Sequence, residues 1–160
     1  MGVYAYPEAK QVTAVNLDGT ITTMSAELVE EALKDAATTS HAIALLIDTP
    51  GGNLDATFRI VQAIERSSVP VIGYVYPTGA KAWSAGTFIL LSTHVAAMAP
   101  HTLMGSAQPV TYTPFGGAQP VNESKVINAL TAYLVERARM HGRNETAARL
   151  FIQENLNLSA

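Results

Sequence analysis

A serine set among small residues at the start of a helix is a candidate nucleophile. Ala82-Trp83-Ser84-Ala85-Gly86 follows an apolar strand and a loop, and a helix carrying Phe88, Ile89, Leu90 and Leu91 begins near Ser84. At such a junction the hydroxyl is exposed, the helix dipole favours negative charge beside it, and small neighbours let a substrate approach. The segment departs from G-x-S-x-G only in having Ala82 for the first glycine. Serine is also a common helix N-cap, so this segment alone decides little. Pro50-Gly51-Gly52 strengthens it, because it ends a buried apolar run and opens another helix. Glycines there let backbone N–H groups turn toward a developing oxyanion. Adjacent parallel strands would bring both loops to one sheet edge, where ligands of α/β domains bind. The donors expected are the N–H groups of Gly52, with Gly51, and of Ala85.

A serine hydroxyl needs a base within hydrogen-bond reach. The four histidines all have ordinary structural readings. His41 precedes a strand, His94 and His101 flank a strand and its turn, and His141 ends a helix, where an imidazolium suits the dipole. Of the four lysines, Lys10 and Lys34 sit in polar surface contexts. Lys81 lies three residues before Ser84, and Lys125 begins a long helix, an unfavourable place for a cation. A lysine acting as base must lose its proton; at its free value only about one in 2,500 is neutral at pH 7. Burial in apolar surroundings supplies the needed depression, and a carboxylate close by opposes it. Glu123 must therefore point away from Lys125 if Lys125 is the base.

The bulk numbers bound the rest. The chain has 160 residues, the size of one domain, expected to span 1–160. There is no cysteine, which excludes thiol chemistry and disulfides, and no metal site or cofactor is indicated. Net charge is −3, and only 14% of residues are charged against a usual ~25%. No basic stripe suggests nucleic acid. Between Arg66 and Glu123 the only Asp, Glu, Lys or Arg is Lys81. Much of that segment must be core, oligomer interface or an apolar groove. No stretch of about 20 apolar residues could span a bilayer, and Met1-Gly2-Val3-Tyr4 does not begin a signal peptide, so a soluble domain is expected.

The positioning elements follow from pattern. Strands are expected at Val12 to Leu17, Ala42 to Ile47, Val71 to Val75, Val95 to Met98 and Thr102 to Met104. Helices are expected from Ser25 as cap to about Ala37, Leu54 to Arg66, Ser84 onward, Glu123 to Met140, and from Asn144 to about Gln153. Residues Gln108 to Asn122, rich in Pro and Gly, read as a long flexible loop. The alternation indicates an α/β domain with a mainly parallel sheet.

Three motifs carry a resemblance. Asp48-Thr49-Pro50-Gly51-Gly52, then Gly79-Ala80-Lys81-Ala82-Trp83-Ser84-Ala85-Gly86-Thr87, then Met98-Ala99-Pro100-His101-Thr102 resemble the ClpP/crotonase superfamily. Within it they look most like the signal-peptide-peptidase-A-like serine proteases, and closest to the NfeD-type membrane protease that accompanies stomatin. The resemblance runs from Val12 to Leu158. It implies a spiral of β-β-α units, a Ser–Lys dyad, and a membrane-associated parent with this domain extracytoplasmic. It places the base at Lys125; the stretch matching the ClpP histidine, Gly105 to Pro109, has none. His101 stands where the family pattern has glycine. The family continues with another helix and strand beyond Asn157-Leu158-Ser159-Ala160, so the chain is expected to be trimmed there.

The expected activity is peptide hydrolysis of apolar segments, such as those of stomatin-like membrane proteins. Trp83, Val110, Tyr112 and Phe115 are the expected substrate walls, and the 108–122 loop is expected to close over the peptide. A homodimer or higher oligomer is expected, because 48% hydrophobic content with few charges leaves apolar surface to cover. Two other readings compete: a crotonase-like acyl-CoA enzyme, which would not need Ser84 or Lys125, and an inactive interaction module of a membrane assembly.

Overall fold

The strand β1 (Val12–Asp18) leads into the helix α1 (Thr23–Thr39), and β2 (Ala42–Asp48) into α2 (Leu54–Glu65). Then come β3 (Val71–Val75), β4 (Lys81–Trp83), α3 (Ala85–Ser92), β5 (Val95–Met98) and β6 (Leu103–Gly105). The chain closes with β7 (Val110–Thr113), β8 (Gly117–Pro120), α4 (Ser124–Met140), α5 (Glu145–Gln153) and β9 (Asn157–Ser159). This computed structural model describes residues 10–113 and 115–160.

Four strands form a wholly parallel sheet in the order β1-β2-β3-β5. Parallel neighbours need crossovers, and here helices supply them. Side chains alternate across each strand, so Ile43, Leu45 and Ile47 of β2 and Val71 and Val75 of β3 point to the helical face and are fully buried. The chain also crosses from each long strand into a short second one. Ile21 bridges Gly52, Thr49 bridges Ala82, and β4 pairs with β6, all in parallel. Each turn of the spiral is therefore a strand, a short cross-strand and a helix. This is the β-β-α architecture expected above.

Local chemistry explains most helix starts. Asn53 and Asn144 accept hydrogen bonds from Ala56 N (2.8 Å) and Ala147 N (3.0 Å), as N-caps do. The first helix begins earlier than its sequence suggests. Thr22 is the cap and Ser25 sits three residues in, the two closing a capping box. The 108–122 segment also differs from expectation. It is not an open loop but contains an antiparallel hairpin, pairing Val110 with Pro120 and Thr113 with Gly117. Val121 N closes its base on Pro109 O at 2.9 Å. Strand β9, unforeseen, pairs antiparallel with β6.

The charge-free segment is spent chiefly on α3, all eight of whose residues are buried. A helix buried all round must satisfy its last carbonyls inside the protein. Arg143, on the turn after α4, does this. Its guanidinium donates to Leu91 O (2.5 Å) and Thr93 O (2.7 Å), with Leu90 O at 3.3 Å. His141 lies beside it. Burial, then the Arg143 and His94 charges, hold its imidazole below the usual histidine value, so it is not the helix-end imidazolium expected from sequence. His101 adopts φ 61°, a left-handed conformation that glycine takes most easily, which accounts for the glycine of the family pattern.

Arg143→Leu leaves the Leu91 and Thr93 carbonyls without that donor. The expected cost is about 2–4 kcal/mol of unfolding free energy, read by urea denaturation, with secondary structure retained.

Candidate active site

At the exits of β2 and β4 two loops press against each other. Gly51 leaves β2 at φ 115°, and Ser84 enters α3 at φ 49°, ψ −113°. Neither is a backbone conformation that side chains favour, and such strain concentrates at functional sites. A Cβ on Gly51 would stand 2.6 Å from Ser84 Cβ and 3.1 Å from its Oγ. A Cβ on Gly86 would meet Thr49 Cγ2 at 2.7 Å and Ala82 Cβ at 3.2 Å. The glycines are therefore the condition for close approach of the two loops. Ser84 sits at the N-cap of α3, but its side chain makes no capping bond. The bland reading of this serine as a helix cap does not hold.

Two buried threonines stitch the loops together. Thr49 N donates to Lys81 O (2.7 Å) and Trp83 N to Thr49 O (3.0 Å). The Thr49 hydroxyl donates to Gly19 O (2.5 Å) and accepts from Gly51 N (3.0 Å). The Thr87 hydroxyl donates to Ala82 O (2.8 Å) and accepts from Gly105 N (3.0 Å). Ser84 N itself donates to Gly105 O at 3.1 Å. Sequence reasoning gave these threonines no role. Their place inside the motifs was the available signal.

The accounting of donors matters for chemistry. Gly51 N–H is taken by Thr49. Gly52 N–H and Ala85 N–H find no acceptor among the described residues, and both residues line the same cleft as Ser84. A side chain on Gly52 is excluded by Ile21, whose N would lie 2.5 Å from the added Cβ.

The cleft holds about 910 Å³. Trp83, Ser84 and Ala85 face Gly51 and Gly52 across it, with Phe88, Ala107, Val110 and Leu130 among the walls. None of its lining residues carries a formal charge or an imidazole. The structure thus gathers Ser84, Gly51, Gly52, Ala85, Trp83 and Val110. It does not gather the others. Lys125 is exposed on the first turn of α4 and does not line the cleft, although Leu130 of the same helix does. No salt bridge joins Lys125 to Glu123 among the described residues. Phe115 stands fully exposed at the tip of the hairpin, away from the cleft. The Tyr112 side chain lies outside what the structure describes. Lys81 Nζ is 3.9 Å from Asp48 Oδ1 and lies over the Trp83 ring, 5.5 Å from its centroid. None of the four histidines lines the cleft.

The family model of the NfeD1b N-terminal domain matches residues 11–160. The membrane-bound protease PH1510 of Pyrococcus horikoshii is 44% identical over 120 residues, 75% of this chain but 27% of that protein. The chain thus spans about a quarter of the length of that relative. A lysine-to-alanine mutant of the 1510-N membrane-bound stomatin-specific protease, in complex with a substrate peptide, superposes with a TM-score of 0.90 at 38% identity, covering 95% of this chain and 70% of that one. A mutant of the same protease with serine replaced by alanine gives 0.88 at 39%, covering 94% and 74%. ClpP1 from Listeria monocytogenes gives 0.66 at 24%, covering 92% and 82%; that likeness is one of fold.

Gly51→Ala should disturb this site first. The added Cβ meets Ser84 and the φ of 115° disfavours any side chain. The expected loss is about 1–3 kcal/mol in thermal unfolding, with a reduced rate of Ser84 modification by a fluorophosphonate.

Proposed function

The chain belongs to the NfeD1b N-terminal domain family, and from that premise we propose that it is a serine endopeptidase with Ser84 as nucleophile and Lys125 as base. One observation carries the proposal: a strained serine with an uncommitted hydroxyl, at an uncharged cleft where two backbone N–H groups have no partner among the described residues. Ser84 Oγ attacks the scissile carbonyl carbon while its proton passes to Lys125 Nζ. The carbonyl oxygen becomes an oxyanion that accepts from Gly52 N–H and Ala85 N–H, and Gly51 supplies the space rather than a donor. Lys125 then returns the proton to the leaving amine, and water hydrolyses the acyl-serine ester. Lys125 reaches Ser84 when the 110–120 hairpin and the start of α4 move onto a bound peptide; substrate-driven closure of this kind is common. The similarity to proteases studied as serine and lysine mutants supports the assignment of both residues.

The substrate in this reading is an extended apolar segment. A cleft without charges cannot repay the desolvation of a charged side chain. The name of the 1510-N structures supports a stomatin-like protein as the source of that segment. The parent protein is read as membrane-bound and this domain as extracytoplasmic; no described helix is long and apolar enough to cross a bilayer. A homo-oligomer, a dimer or higher, belongs to the same reading, supported by the exposed side chains of Met24, Leu28, Val95 and Met140.

A fluorophosphonate probe tests the nucleophile. Labelling at Ser84, lost in Ser84→Ala, is expected; an unlabelled, folded protein overturns the protease reading. Lys125→Ala should abolish peptide cleavage with the fold intact. In a peptide library, Leu, Val, Ile or Phe should be enriched beside the scissile bond. A preference there for Lys, Arg, Asp or Glu would sink the substrate reading.

A further inference from the structure

Lys125 stands at the exposed start of a helix whose Val126 and Ile127 rest half-buried against the core and that becomes fully buried only further along. In α4, Ser124, Lys125, Asn128 and Ala129 are exposed, and Val126 and Ile127 are half-buried. The first fully packed side chains are Leu130 and Thr131, followed by Leu134, Val135 and Ala138. At that point Tyr133 enters an aromatic cluster. Its ring lies 4.8 Å from Phe58 of α2 and 6.2 Å from Phe88 of α3, which themselves meet edge-on at 6.5 Å. The Arg137 guanidinium covers Tyr133 at 3.6 Å from its centroid. Arg137 in turn pairs with Glu65 at the end of α2, 2.9 Å away, with side chains only 16% and 23% exposed. Two of these three helices start at loops of the cleft, α2 after Gly52 and α3 after Ser84, and α4 starts at Ser124, next to Lys125.

We propose that Tyr133, backed by Arg137, is a positioning residue that sets where Lys125 stands relative to Ser84. The inference rests on Lys125 being the base. Eight residues separate Tyr133 from Lys125, about 12 Å along the helix. A tilt of about 10° at the anchor moves the helix start by about 2 Å on that lever arm. Misplacement of about 1 Å is enough to cost about 100-fold in rate. Phe88 makes the link direct, because it lies one turn after Ser84 and also lines the cleft. The Tyr133 hydroxyl is buried without a partner among the described residues, so the ring and not the hydroxyl performs the positioning.

Tyr133→Phe, Tyr133→Leu, Arg137→Gln and Lys125→Ala separate the possibilities. Thermal midpoint and the kcat and KM of peptide cleavage are measured on each. Tyr133→Phe should match the parent protein in every readout. Tyr133→Leu, folded at the assay temperature, should lose about 30-fold or more in kcat with KM changed less than about 3-fold. Arg137→Gln keeps the ring and guards against a misfolded leucine variant; a smaller loss of the same kind is expected. A lowered midpoint with unchanged kcat in both variants would show that the cluster only packs, and would overturn the inference. If Lys125→Ala retains parental cleavage, the base assignment falls and the inference with it. If Lys125→Ala is inactive while Tyr133→Leu and Arg137→Gln are not, the inference alone falls.

Discussion

The loops after β2 and β4 approach so closely that only one of the two facing residues, Ser84, has room for a side chain. A Cβ on Gly51 would stand 2.6 Å from that of Ser84. Much else in the domain serves this contact. Gly86 lets α3 settle on Thr49, and Thr49 and Thr87 tie the loops to β4 and β6. Holding Ser84 at φ 49° costs on the order of 1–3 kcal/mol, which the surrounding hydrogen bonds and packing must offset. The return is a hydroxyl turned out of its capping role, beside N–H groups that the fold leaves free.

The composition follows from the same demand. A helix buried on all sides cannot readily carry charges, and α3, which follows Ser84, carries none. Its far end is held by Arg143, so the helix is fixed at both ends: by the glycine-lined turn at Ser84 and by a guanidinium on its last carbonyls. The cleft inherits this lack of charge. That disfavours a charged substrate, because desolvating an ion is costly.

The proposed base is held quite differently. Lys125 sits at the exposed start of α4, past a hairpin with little buried surface of its own; Val126 and Ile127 are half-buried against the core, and full burial of α4 begins at Leu130. Ser84 and the proposed oxyanion donors sit in closely packed, hydrogen-bonded loops, whereas the proposed base is exposed. Local stability varies within one domain, and segments that engage ligands come from its less stable end.

The strand–helix order, the cap residue Asn144 and the three motifs were legible in the sequence, because each depends on residues close together in the chain. The scarcity of charge from Ser67 to Asn122, broken only by Lys81, was legible for the same reason, and so was Ser84 as the candidate nucleophile, because it lies in a compact motif at a helix start. The 110–120 hairpin was not legible. Its prolines and glycines read as loop, yet Pro120 ends a strand, where a missing N–H costs little, and Gly117 turns at φ 65°. Tertiary structure alone decided that a side chain on Gly51 would meet Ser84 and one on Gly52 would meet Ile21. It likewise decided that His141 is held below its usual value, and that Trp83 and Val110 line the cleft while Phe115 does not. These outcomes depend on contacts between residues far apart in sequence, set by how helices and loops pack, and no local pattern encodes them.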